Sequence, residues 1–394
     1  MIRLTLFISL VLLAACSPDK QIPVNNKVTE IDSSAFTAQV GIVAYTSLSH
    51  ANRAAQILDS KLASFMHHPN PMSRTEIQQA WRGAYDSFLS SLIFSYLPIQ
   101  DPPDWYSQRI GYQHLLTQLD SWPIEGGYID YVTSYPFSGI VNDLTLNIDE
   151  DSIRSQHGFT DNSNASLGYH ALEFMFWGGD GQRSPHDFFP QENTAPVPIN
   201  DAEQSLDSSH AEAINNEALT VEPQNHNRRR QYTQLLSELL LKDLHRIQRR
   251  WEPSSGYYAQ LLQQSNSQNT LQAAFIAAQD LIKKEVLKKR FQLTSSEYSQ
   301  TSSSDLLALL SGIENWFMPE QADLQEASLY FLMQQADPGI ASAFATSLQQ
   351  SQTCINKMTT KSTDIDQCKQ DTISLLSSLR NAAKSLSVEL PALD

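Results

Sequence analysis

Between positions 232 and 251 the apolar residues Tyr232, Leu235, Leu236, Leu239, Leu240, Leu244, Ile247 and Trp251 recur at steps of three, one and four. That spacing returns to one side of a 3.6-residue turn, so the segment is an amphipathic helix with one face committed to a core. Similar patterns run through 269–291, 303–317, 320–335, 339–357 and 366–387, and a period of two is nowhere sustained between turn signals. Helices are then the only large elements, and they bury their stripes by packing antiparallel on one another. The expected fold class is all-α, with length enough for two helical bundles in tandem. Hydrophobic residues, at 41%, supply the core and exclude disorder over most of the chain.

Glycine marks where helix gives way. Of 14 glycines in 394 residues, nine fall between 111 and 181, so loops and short helices are expected there. Upstream, a helical pattern over Phe36–Met66 ends at His67-His68-Pro69-Asn70-Pro71, where the paired histidines read as a helix end. A second helix is expected over Arg74–Leu97, opened by Ser73 three residues before Glu76 as a capping box. Segment 190–226 is rich in Pro, Asn, Glu and Ser with little periodicity, an exposed insertion or linker. The expected organisation is an N-terminal bundle over 35–226 that includes this insertion, and a C-terminal bundle over 227–394.

The amino terminus bears on the compartment. After Arg3 an uncharged apolar run from Leu4 to Ala15, too short to span a bilayer, closes on Leu13-Ala14-Ala15-Cys16. Residues 1–15 are expected to be a signal peptide, and the small residues before Cys16 resemble the lipobox of bacterial lipoproteins, which implies lipidation of Cys16. Ser17, rather than Asp, follows it, the pattern of outer-membrane sorting. Residues 16–34 are then a polar tether, and the expected location is the bacterial cell envelope, lipid-anchored at the outer membrane and facing the periplasm. Cys354 and Cys368 remain as an even pair in an oxidising compartment. A disulfide between them would close a 15-residue loop, worth roughly 3 kcal/mol.

A formal charge of -16, from 43 acidic and 27 basic residues, argues against a nucleic-acid partner. No GxSxG, Walker or dinucleotide fingerprint is present, and neither is the HExxH of a typical zinc protease. The segment Asp161–Glu173 has the wrong offsets for a calcium loop. The chemistry-bearing pair is His170 and Glu173, in Gly168-Tyr169-His170-Ala171-Leu172-Glu173-Phe174-Met175-Phe176-Trp177-Gly178. Three apart on a helix, imidazole and carboxylate share a face, and the other positions are apolar nearly all round, so this helix is expected to be buried. Three uses compete: two ligands of a divalent or ferric metal such as iron or zinc, a general base beside a hydrolytic metal, or a hydrogen-bonded core pair. Further ligands would have to come from other helices.

The Gly168-x-His170-x-x-Glu173 element, followed by Phe-x-x-Trp-Gly, resembles the GxHxxE signature of the imelysin-like family, also called insulin-cleaving metalloproteinases or iron-regulated proteins. Requiring the glycine lowers the chance expectation of the motif to roughly 0.02. Other pieces agree in order: Ala80-Trp81; Ser121-Trp122-Pro123-Ile124-Glu125 leading to Ile129-Asp130-Tyr131; and Gly181-Gln182-Arg183 leading to Asp187-Phe188. The resemblance covers about 36–390 and implies two helical bundles and a periplasmic or surface location. It also implies binding of a metal ion or small ligand in iron or metal handling through His170 and Glu173, with envelope metal-uptake components as partners. The alternative it implies is a metallopeptidase with Glu173 and His170 catalytic; the second alternative is a structural envelope protein with no site.

Other residues carry weaker expectations. Gly168, Trp122 and Pro123 belong to the signature elements, Asp130 reads as a buried cap, and Arg183 and Asp187 either close over a ligand or pair with each other. Arg228, Arg229 and Arg230, with Arg246, Arg249 and Arg250, suggest a solvated basic face or contact with anionic lipid headgroups.

Overall fold

The computed structural model describes residues 31–99, 111–191 and 225–393. The expected signal peptide, Cys16, most of the tether and nearly all of the 190–226 segment lie outside the described residues. Those from Asp32 onward form one compact unit. It is helical throughout; the only β pairing among the described residues is the isolated bridge between Val132 and Tyr135. No described helix is long and apolar enough to cross a membrane.

Helix α1 (Ser34–His67) buries Phe36, Val40, Ala44, Leu48, Ala51, Ala55, Leu58, Leu62 and Phe65 along one stripe. Helix α2 (Pro71–Ser91) packs antiparallel on it, burying Ile77, Trp81, Ala84, Tyr85 and Phe88. The cap of α2 is Asn70, three residues before the expected Ser73. Asn70 Oδ1 accepts from the Ser73 N–H at 3.0 Å, and Ser73 Oγ accepts from the Asn70 N–H at 3.1 Å. Pro71 fits the first helical position because no hydrogen bond is asked of its nitrogen there. The expected helix to Leu97 tightens after Ser91 into a 3-10 turn over Leu92–Tyr96.

Short helices α3 (Tyr112–Leu119), α4 (Gly126–Ile129), α5 (Glu150–Gln156) and α6 (Gly168–Trp177) occupy the glycine-rich stretch. Every residue of α6 from Gly168 to Phe176 is buried, as its apolar composition requires. It lies against α2, α3, α4 and α7 (His226–Arg249), whose Tyr232, Leu236, Leu239, Leu240, Leu244 and Ile247 form the buried stripe read from the sequence.

The remainder comprises α8 (Tyr257–Gln264), α9 (Ser267–Asp280), a π-helical turn over Leu281–Leu287, α10 (Ser302–Phe317), α11 (Ala322–Gln325), α12 (Leu329–Ala336), α13 (Pro338–Lys357) and α14 (Ser362–Ser385). The expected helix over 320–335 is two helices. Ser328 Oγ accepts from the Phe331 N–H at 3.1 Å and starts α12 afresh. Cys354 and Cys368 are joined, tying α13 to α14. Helix α10 packs on α2 and α7 on α1, so elements of the second half of the chain close directly over the first.

Candidate functional site

Gly168 decides where His170 stands. Its φ is +88°, and a Cβ there would lie 2.3 Å from the carbonyl oxygen of Gln118 and 2.5 Å from that of Leu119. Only glycine lets the start of α6 approach the end of α3 this closely. The approach sets His170 beside Asp120, the residue that ends α3.

A chain of hydrogen bonds follows. The imidazole shares Nδ1 with Glu173 Oε2 at 2.8 Å and Nε2 with Asp120 Oδ1 at 3.1 Å and the Tyr85 hydroxyl at 2.9 Å. Tyr85 donates to Asp120 Oδ1 at 2.7 Å. Glu173 Oε1 accepts the N–H of Ser299 at 2.8 Å and its hydroxyl at 2.7 Å. Arg290 closes the other end: Nη2 donates to Asp120 Oδ2, Nη1 to Tyr85 at 2.7 Å and Nε to Glu285 at 2.9 Å, while the Trp122 ring lies 4.6 Å from its guanidinium carbon. Asp305, 3.7 Å from Arg290, also pairs with Arg82 at 2.7 Å. The widened π-helical turn brings Glu285 alongside Arg290, five residues later.

Charge is partitioned within this core. Burial alone would depress His170, but the hydrogen bonds and charges of Asp120 and Glu173 outweigh it and raise the imidazole to about 9. Burial would raise Asp120; Arg290, then His170 and Tyr85, hold it well below the usual carboxylate range. His170 is therefore an imidazolium at neutral pH, held between Asp120 and Glu173 and anchored through Asp120 by a guanidinium. Asp120 is the outlet. It lines a cavity of about 750 Å³ together with Trp122, Tyr96, His114, His157, Glu285 and Lys289.

This arrangement does not fit a metal ion. Both nitrogens of His170 are engaged, and Arg290 occupies the second oxygen of Asp120. Among the described residues no three or more His, Cys, Asp or Glu side chains are grouped to hold one.

The remaining expected residues gather at the far end of α6. Asp130, fully buried, is held side-on by Arg229, with Nε at 2.6 Å and Nη2 at 3.0 Å, and by Arg183 Nη1 at 2.7 Å. Burial would raise its carboxyl, but the two guanidiniums hold it below the usual range. Arg183 and Asp187 do pair, at 3.4 Å, yet Asp130 is the nearer partner. The Arg228–Arg230 run is not a solvated face. Arg229 is fully buried, Arg228 donates to the carbonyls of Ile140, Val141, Asp143 and Leu146, and Arg230 to those of Met66 and Phe188. Pro123 follows Trp122 through a cis peptide bond.

Asp120, Tyr85, Arg290, Ser299 and Glu285 were not legible as site residues. Asp120 directly precedes the Ser121-Trp122-Pro123 element, the one local signal that pointed toward it.

A family model described as Imelysin matches residues 44–386. No match was found among curated proteins. Among solved structures, a protein of Parabacteroides distasonis ATCC 8503 described as an iron-regulated protein A precursor aligns with a TM-score of 0.59 at 15% identity, over 92% of this chain and 97% of that one. An imelysin-like protein of Psychrobacter arcticus 273-4 aligns with a TM-score of 0.58 at 11% identity, over 93% and 100%. At those identities the structures speak for the fold, while the family model spans the signature helix and most of the chain around it: this chain belongs to the imelysin family.

Proposed function

We propose that the chain is a lipid-anchored envelope protein that binds a small polar ligand in iron or metal handling, at the cavity onto which Asp120 opens. The supporting observation is the wiring of Asp120. One carboxylate joins the cavity wall to the Glu173–His170 pair on one side and to Arg290 on the other. A ligand bearing hydrogen-bond donors or positive charge suits a wall whose acceptors are Asp120 and Glu285, and it would draw on the same oxygens that hold His170 and Arg290. The envelope location rests on Leu13–Cys16, and the link to iron on the name of the Parabacteroides relative.

Hydrolysis by Glu173 is less well supported. One oxygen holds Ser299 twice, the other holds His170, and the side chain is closed to solvent, so it presents no base to a substrate water. The deciding experiment is thermal unfolding and calorimetric titration of the full chain with ferrous, zinc and copper ions in a citrate-free buffer, as hydrated ions whose bound waters would donate hydrogen bonds to Asp120. Saturable stabilisation that is lost in Asp120→Asn and His170→Ala is expected. Cleavage of a denatured protein that stops with chelator would favour a peptidase, and indifference to every addition would leave the pair a structural core.

A further inference from the structure

A second cavity, of about 410 Å³, opens beside the Gly178–Arg183 loop, lined by Tyr131, Thr133, Gly179, Arg183, His186 and Asp187 among others. Arg183 is 3% exposed, and the protein uses only Nη1 of its guanidinium, toward Asp130 and Asp187. Its Nε and Nη2 are buried and have no acceptor among the described residues. A guanidinium with one edge unmet is unusual in a protein interior, because each lost hydrogen bond leaves a desolvated donor. That edge is the one whose two parallel N–H groups match the two oxygens of a carboxylate.

The surroundings favour an incoming anion. The rings of Tyr131 and Phe174, 4.7 and 5.3 Å from the guanidinium carbon, hold Arg183 in place. The acids nearby are committed: Asp187 accepts from the Tyr131 hydroxyl at 2.6 Å, and the exposed Asp180 accepts from the Gln182 N–H at 2.9 Å. Arg183 and Arg229 are balanced by Asp130 and Asp187, and Arg74, donating to the Arg183 carbonyl at 2.8 Å, offsets the exposed Asp180 on the cavity wall. A Cβ on Gly178 would stand 3.4 Å from Nε, so the glycine keeps one more side-chain atom away from that edge of the guanidinium.

We propose that this cavity is an oxyanion subsite, in which Nε and Nη2 of Arg183 hold the carboxylate of a small organic acid; a phosphoryl group offers the same pair of oxygens. The subsite is independent of the cavity at Asp120.

Calorimetric titration of the full chain with citrate and, separately, with inorganic phosphate in a chloride buffer tests it. Two variants accompany the wild type. Arg183→Lys keeps the charge beside Asp130 but has no two-pronged edge. Gly179→Leu fills the cavity mouth, where a Cβ meets only Val132 at 3.5 Å or more, and leaves the ion pairs alone. Citrate is expected to bind saturably, and at least about tenfold more weakly in both variants, the loss anticipated for a bidentate charge-assisted pair. Asp120→Asn is expected to bind citrate as the wild type does. Binding of citrate but not phosphate assigns a carboxylate, and comparable binding of phosphate with the same variant losses assigns a phosphoryl ligand to the same edge. The proposal is overturned if neither anion binds saturably, or if both bind the variants as they bind the wild type. Should Arg183→Lys fail to fold, Gly179→Leu decides alone.

Discussion

Raising the pH through the range where His170 gives up its proton is expected to withdraw a stabilising contribution, and His170→Gln is expected to remove that dependence. In an unfolded chain an imidazole deprotonates near 6.5, whereas the folded protein holds the His170 proton to about 9. Between those values the native state binds one proton more than the unfolded state, so stability falls as pH rises. The contribution is complete below the unfolded value and gone once the pH has passed the folded one. A gap of that size is roughly 3 kcal/mol, at about 1.4 kcal/mol per pH unit. With 1% of the side chain exposed, solvent screening does little to reduce it. The assay is urea denaturation of wild type and His170→Gln at intervals from about pH 6 to about pH 10, because the difference between the two cancels the lysines and tyrosines that titrate in both. The wild-type advantage should shrink steadily across the interval, and a nitrogen-15 spectrum should show His170 charged on both nitrogens at pH 7.5. A difference that stays level with pH, or a neutral ring at pH 7.5, would refute the assignment of a charged His170.

Three further outcomes follow from packing. Gly168→Ala should cost more than about 2 kcal/mol in denaturant unfolding, since its Cβ would meet two backbone carbonyls at a left-handed φ; a cost below about 0.5 kcal/mol would show that α6 and α3 can separate freely. Arg290→Met should destabilise by about 3–5 kcal/mol because it strands the buried charge of Asp120, and adding Asp120→Asn should restore part of that loss. Replacing Cys354 and Cys368 together by Ser should lower stability by roughly 3 kcal/mol with the His170 titration unchanged, because α13 and α14 contribute no side chain to the hydrogen bonds that hold His170.

Much of the scaffold was legible because burial leaves a periodic trace. The stripe of α7, the largely apolar α6 and the shared face of His170 and Glu173 follow from spacing alone. What failed was inference from charge runs. Arg229, between Arg228 and Arg230, read as solvated, and Arg290, in Lys288-Lys289-Arg290, was not legible as a site residue. Both are fully buried, because long-range carboxylates, Asp120 and Asp130, meet them from 170 and 99 residues away in sequence. Pairings of that range leave no local signal. The same limit applies to 320–335, where apolar spacing continues across a break that Ser328 imposes.

The π-helical turn at Leu281–Leu287 deals with a problem of angular register. On a regular helix, residues five apart point about 140° away from each other, whereas Glu285 and Arg290 face one another here. The wider turn closes with the Lys288 N–H on the Lys283 carbonyl, five residues back, so it holds one residue more than a regular helical turn before the chain passes to Arg290. Deleting a single residue between 281 and 287 would thus regularise the helix and swing Arg290 away from Asp120. The seat of the buried guanidinium is in this sense a matter of counting, fixed by one residue more than a regular helix needs.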